Sequence, residues 1–212
     1  MMKADQALEK LRQGNANYVS AIAEGRALST SLQRQPADLV QQRPFAIVLG
    51  CSDSRVPAEL VFDQGLGDLF VIRVAGNIVA PSQIGSIEFA CQQFGTQLVV
   101  VLGHSHCGAI EATVDALTGN PDDLSPNLAA IVDRVMPAVH PVVRGHEHDD
   151  REQLLHQAMK ANVEQSVKLL QLRSRIIRGL INRNELTIVG AEYSIETGRV
   201  TFYSDGSSEE AS

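Results

Sequence analysis

Phe45-Ala46-Ile47-Val48-Leu49-Gly50 runs directly into Cys51-Ser52-Asp53-Ser54-Arg55, and half a domain later Leu98-Val99-Val100-Val101-Leu102-Gly103 runs into His104-Ser105-His106-Cys107-Gly108. Short apolar runs without alternation mark strands buried on both faces of a parallel sheet. Each run ends in a small residue and hands over to a polar cluster. Both clusters therefore fall at strand carboxyl ends, where open α/β sheets build their sites. The pattern predicts strands at 45–49, 69–74, 98–103 and 186–191, separated by helices, which argues for right-handed parallel crossovers. Thr197-Gly198 supplies a turn before a last strand at 199–203, which then pairs antiparallel. The predicted fold is α/β, with a mainly parallel central sheet of four strands, an antiparallel edge strand and flanking helices.

Outside the sheet, Leu8, Leu11, Tyr18, Val19 and Ile22 recur near a period of 3.6 and predict an amphipathic N-terminal helical arm over the first 25 residues. Ser29 to Gln35 reads as a polar linker, and Pro36 as the start of a short helix. Residues 151–182 read as one long helix or two consecutive ones, with Leu154, Leu155, Val163, Val167, Leu170, Ile177 and Leu180 as the apolar stripe. Residues 204–212 read as a flexible tail. The whole chain, 1–212, is predicted to be a single domain, with 1–35 as arm and linker.

Cys51, His104 and Cys107 offer two thiolates and an imidazole, a three-ligand set suited to zinc, one ion per chain. A fourth tetrahedral position is then left for water, which is the arrangement of a catalytic site. If 51–55 run extended, a period of two puts Cys51, Asp53 and Arg55 on one side. His104 and Cys107, three apart, would face one centre from a single helical turn. The bland alternative is three buried, unrelated residues. Two thiolates cancel the charge of the dication, so neighbouring groups must help hold and aim the hydroxide that zinc generates. Asp53 is able to accept its hydrogen, and Arg55 to pair with Asp53 in fork geometry.

The chain resembles the β-class carbonic anhydrases from Leu11-Arg12-Gln13-Gly14-Asn15 through Tyr193 to Gly198, and the family's CxDxR and HxxC motifs are complete here. The resemblance implies reversible hydration of CO2 to bicarbonate and a proton, with Cys51, His104 and Cys107 on zinc and Asp53 and Arg55 as the dyad. It implies a closed state at low pH, in which Asp53 takes the fourth metal position and activity collapses, while an open, zinc–water site is expected at neutral to alkaline pH. It also implies a small apolar pocket lined by Gln42, Phe70, Ala75, Phe89 and Gly108. Ala75 and Phe89 depart from the family's more usual valine and tyrosine. Some bacterial relatives hold an inhibitory bicarbonate with a tryptophan, an arginine and a tyrosine. This chain has no tryptophan, and Val48 takes the corresponding place, although Arg73 is present. With Gln42, that places it nearer the plant-like subclass. Homodimers or homotetramers are implied, with the N-terminal arm across the partner. A hydrolase of COS or CS2 and a non-catalytic zinc scaffold are the alternatives.

The net charge of −7 argues against nucleic acid or an anionic membrane as partner. No run approaches the ~18 apolar residues of a membrane span. Met1-Met2-Lys3-Ala4-Asp5-Gln6 has no apolar signal core, so a cytoplasmic location is expected, and three cysteines with two committed as ligands fit a reducing compartment. Cys91 reads as a buried small hydrophobe. Gly65-Leu66-Gly67 precedes a strand and lacks the third glycine of a dinucleotide loop. The arginine after Cys51 comes too early to close a cysteine-phosphatase cradle. His140, His146 and His148 with Glu147 read as solvated histidines on a proline-flanked loop, and His106 as a structural neighbour of the ligands.

Overall fold

The structure, a computed structural model, describes residues 2–26, 42–119, 124–145, 150–204 and 207–208. The predicted linker and the helix start at Pro36, together with His146 and His148, lie outside these residues. Four parallel strands, β1 (Ala46–Gly50), β2 (Leu69–Arg73), β3 (Leu98–His104) and β4 (Thr187–Tyr193), stand in the order β2-β1-β3-β4. Through the Thr197-Gly198 turn, β5 (Val200–Ser204) joins β4 antiparallel. A two-residue strand, β6 (Ser207–Ser208), pairs back on β5, so the sheet continues one short strand past the predicted edge.

The chain leaves β1 toward β2 on one side, then crosses to β3 on the other. The strand order therefore reverses between β1 and β3. In open α/β sheets the crevice at such a switch point is where ligands bind. Both polar clusters emerge there, one from the end of β1 and one from the end of β3.

Seven helices flank the sheet among the described residues: α1 (Ala4–Ala23), α2 (Ala58–Val61), α3 (Pro81–Phe94), α4 (Gly108–Thr118), α5 (Pro126–Gly145), α6 (Arg151–Arg173) and α7 (Arg175–Asn182). Successive strand residues point to opposite faces, and here both faces are dry. Ile47, Leu49, Val99 and Val101 pack beneath α3 to α6, while Ala46, Val48, Leu98 and Val100 pack against α1, α2 and Phe62. That double burial explains why β1 and β3 are apolar throughout.

Two sequence expectations need correction, and one left open is decided. The buried face of α1 consists of Ala7, Leu11, Gly14, Asn15 and Ala21, with Ile22 exposed, so it is rotated from the predicted stripe. The cause is close approach: a Cβ on Gly14 would lie 1.8 Å from the Phe62 carbonyl oxygen, so small residues must face inward. The arm thereby seals its own sheet, and buried Asn15 Nδ2 ties it to the Val61 and Gly198 carbonyls. His140 lies exposed on α5, not on a loop; Pro137 and Pro141 sit within that helix, while Val132, Val135 and Val139 keep its buried face. Residues 151–182 form two helices, divided at Ser174, whose extended backbone and hydroxyl cap the Ile177 N–H of α7.

Candidate metal centre and active site

Cys51 follows the last residue of β1, and its side chain is buried in the core beneath α3 to α6. The residues after it do not run extended. Asp53 folds back as an Asx turn, its Oδ1 accepting from the Arg55 N–H at 2.9 Å, while its carbonyl accepts from the Val56 N–H at 3.1 Å. Asp53 and Arg55 nevertheless meet, because the turn brings them together. Arg55 Nε donates to Oδ1 at 2.9 Å and Nη2 to Oδ2 at 2.7 Å, the expected fork. Nη2 also donates to the His106 carbonyl at 3.1 Å. One guanidinium thus links both clusters.

The second cluster is likewise not a helical turn. His104 is the last residue of β3, and Cys107 is the N-cap of α4. Between them the chain reverses through His106, whose φ of 52° is left-handed. A spacing of three is compatible with a helix turn or with a strand end, a tight turn and a cap. The latter holds here, and it still brings both side chains to one centre.

The sulfurs of Cys51 and Cys107 and a ring nitrogen of His104 all lie within 4.8 Å of one another, on buried residues. His104 Nδ1 contacts the Ser105 carbonyl at 2.8 Å. A carbonyl only accepts, so Nδ1 carries the proton and Nε2 presents its lone pair. Among the described residues that Nε2 is buried without a hydrogen-bond partner, a cost few proteins leave unmet. A zinc ion on Nε2 and the two sulfurs would resolve it, so the donor set fits the metal. Asp53 stands outside this donor group, its carboxylate turned to Arg55.

Electrostatics point the same way. The contact with Cys107 draws the Cys51 thiol well below its ordinary range, while that contact and burial push Cys107 up. Burial opposes a charged His104, but the close approach and charge of Cys51 outweigh it and raise its pKa. The Arg55 hydrogen bond holds Asp53 well below the usual carboxylate range. Cys91, by contrast, is pushed up by burial to about 12 and stays a neutral thiol on α3, as its apolar setting predicts.

Two supporting residues carry no local sequence signal. Arg73, at the end of β2, donates from Nε to the Cys51 carbonyl at 3.0 Å and from Nη2 to the Asp53 carbonyl at 2.5 Å. It pins the first loop. Glu196 accepts from the Ser105 and Ser194 hydroxyls at 2.9 Å each and pairs with the His106 ring, pinning the second. Its own backbone N–H, then the two hydroxyls and His106, hold the Glu196 carboxyl down at about 2, against an ordinary 4.5. A depressed carboxyl stabilises the fold above its ordinary pKa and loses that effect as pH falls through the folded value. Glu196→Gln is therefore expected to lower the urea midpoint at pH 6, with the gap to wild type closing as pH falls from about 4.5 toward 2. Urea titrations at three pH values check this; a gap of constant size would refute the clamp.

Neither of two cavities among the described residues gathers the five residues assigned to the substrate pocket. Phe70 stands opposite Ile47, four residues before Cys51, or about 13 Å back along the strand. It clusters with Phe89 and Phe94, ring centroids 5.7–6.2 Å apart, and Phe89 is 49% exposed. Gln42 and Gly108 are exposed and Ala75 is half-buried beside Gly76. A cavity of about 250 Å³ does adjoin the ligand loop, on the side of α6, lined by His104, Cys107, His156, Glu192 and Glu196 among others. None of the five lines it.

Fold and site together define an α/β protein with a Cys/His/Cys group able to hold a metal at the switch point of its sheet. The sequence model of the carbonic anhydrase family matches residues 46–200. A carbonic anhydrase of Mycolicibacterium smegmatis is 39% identical over 197 residues, spanning 92% of this chain and 90% of the relative. Carbonic anhydrase 2 of Mycobacterium tuberculosis is 35% identical over 195 residues, spanning 91% and 89%. The solved structure of the β-carbonic anhydrase CcaA superposes with a TM-score of 0.70 at 29% identity, covering 92% of this chain and 84% of that one. A structure described as one of two tetrameric β-carbonic anhydrases from Sordaria macrospora shares the fold at 23% identity, with a TM-score of 0.66 and coverage of 90% and 93%. The chain belongs to the β-class carbonic anhydrase family and is an enzyme of that family.

Proposed function

We propose that this carbonic anhydrase hydrates CO2 reversibly to bicarbonate and a proton, with one zinc held by Cys51, His104 and Cys107 and with Asp53 and Arg55 orienting the attacking water. The observation that carries this reading is the buried His104 Nε2, unpaired and facing two sulfurs. Zinc, when bound, supplies the Lewis acidity that lets water lose a proton near neutral pH and furnishes the nucleophile. The remaining work belongs to the chain. Asp53, an ionised group that only accepts, holds the hydrogen left on the nucleophile and so turns a lone pair toward CO2. Arg55 keeps that carboxylate ionised and fixed in direction by its two-point fork. The His106 carbonyl fixes Arg55 in turn.

Metal analysis combined with stopped-flow CO2 hydration at about pH 8.5 tests the proposal. One zinc per chain with rapid hydration is expected. One zinc without hydration would favour the scaffold, and faster turnover of COS than CO2 would favour the related hydrolase. We further propose a homodimer or homotetramer, which the exposed Phe89 in its aromatic cluster and the tetrameric Sordaria relative support. Light scattering giving a single-chain mass would overturn it. A cytoplasmic location remains our reading of the reduced ligand cysteines; cell fractionation decides it.

A further inference from the structure

The turn Ala75–Asn77, which links β2 to α3, touches the metal centre at one atom: the Gly76 N–H donates to Cys51 Sγ at 3.4 Å. The turn is held in an unusual shape. Gly76 has φ 69° and Asn77 φ 43°, two successive left-handed residues, and a Cβ on Gly76 would lie 3.0 Å from Ala109 Cβ. Two carbonyls of the turn point into the core, and both are met by buried side chains of α6. Asn162 Nδ2 donates to the Gly76 carbonyl at 2.8 Å and reaches Asn77 Oδ1 at 3.5 Å. Ser166 Oγ, one helical turn on, donates to the Asn77 carbonyl at 3.3 Å. Asn162 and Ser166 are 3% and 2% exposed in an otherwise apolar helix face. Polar groups so placed are retained only where they answer a specific partner.

We infer that Asn162 is a positioning residue for the metal thiolate: by fixing the Gly76 carbonyl it aims the Gly76 N–H at Cys51 Sγ and so tunes how strongly that sulfur donates to zinc. This inference rests on the zinc reading above. An N–H on a thiolate draws electron density from sulfur, leaving more positive charge on the metal. The effect matters here because two thiolates otherwise neutralise the dication. Through Asn162 the bond is supplied from α6, a remote helix whose packing sets the position of the turn.

Cobalt(II) substitution tests this without recourse to activity. In Asn162→Leu the thiolate-to-cobalt charge-transfer band is expected at lower energy than in wild type, because the freed sulfur donates more strongly to the metal. Ser166→Ala, which frees the neighbouring carbonyl only, is expected to lower the Tm and leave the band in place. A loaded, folded Asn162→Leu protein with the wild-type band would overturn the inference. If that variant does not fold, cadmium-113 in wild type decides: scalar coupling across the hydrogen bond to the Gly76 amide proton is expected, and its absence overturns the proposal. A wild-type chain that takes up no cobalt or cadmium defeats the zinc reading, and this inference with it.

Discussion

Replacing Cys107 with alanine is expected to leave a folded chain that no longer retains zinc. Cys107 is 4% exposed and caps α4 through its backbone, with its carbonyl accepting from Ile110 and Glu111 at 2.9 and 3.0 Å. Those bonds survive the substitution, and the lost volume is one sulfur. Four-ligand structural zinc is held in peptides by roughly 10–16 kcal/mol, so one thiolate accounts for about 3 kcal/mol, or two decades in affinity. Dialysis against a modest chelator should then strip the variant and spare wild type. CO2 hydration should fall to background together with the zinc. Cys91→Ala is the matched control: an equally buried cysteine on α3 that takes no part in the centre and whose loss leaves the metal in place. If Cys107→Ala kept one zinc per chain after dialysis, the three side chains would be buried neighbours and nothing more.

That a centre of this kind is legible in the sequence follows from how a parallel sheet is built. β1 and β3 bury both faces, so their sequences are apolar without interruption and their ends are sharp. The polar residue after each end has to face the switch-point crevice. Local geometry beyond the strand ends was less legible. The spacing of His104 and Cys107 does not separate a helix turn from a strand end followed by a cap, and nothing in His106 announces a positive φ. Asp53 between two serines did carry a turn signal, which the alternating pattern of CxDxR overrode. On α5, two prolines four residues apart read as a loop, yet Val132, Val135 and Val139 hold the helix to the core.

The supporting residues were not legible at all. Arg73 reaches back 20 and 22 residues, Asn162 reaches 86, and Glu196 reaches 91. Each is an ordinary polar residue whose partner is a backbone atom or hydroxyl brought near only by the sheet order. The pocket residues illustrate the opposite limit. Phe70 and Phe89 were assigned by resemblance, and within one chain they form a half-exposed aromatic patch remote from Cys51 along β1.

Asp53→Asn is expected to lower kcat/KM for CO2 hydration by roughly 10²–10³-fold while zinc stoichiometry stays at one, a loss of the size seen when one oriented hydrogen-bonding group is removed from an active site. The amide keeps the shape of the carboxylate but places a donor where only acceptors stood, and it repels the Arg55 fork. Arg55→Lys should fall between, since an ammonium keeps the charge yet cannot bond both Asp53 oxygens and the His106 carbonyl. Arg55→Ala adds a signature in pH. The guanidinium holds Asp53 far below its ordinary value of 3.8, so in wild type this carboxylate stays ionised through any acid limb above that value. Without Arg55 its pKa rises toward 3.8, so its charge is lost at a higher pH than before. Carbon-13 NMR of the Asp53 carboxyl should accordingly show it protonating toward 3.8 in the variant, above its wild-type range. Profiles of kcat/KM for the three variants, each corrected for bound zinc, decide the matter. An Asp53→Asn enzyme as fast as wild type, or one whose activity falls only as its zinc does, would reduce the dyad to a structural ion pair across two loops.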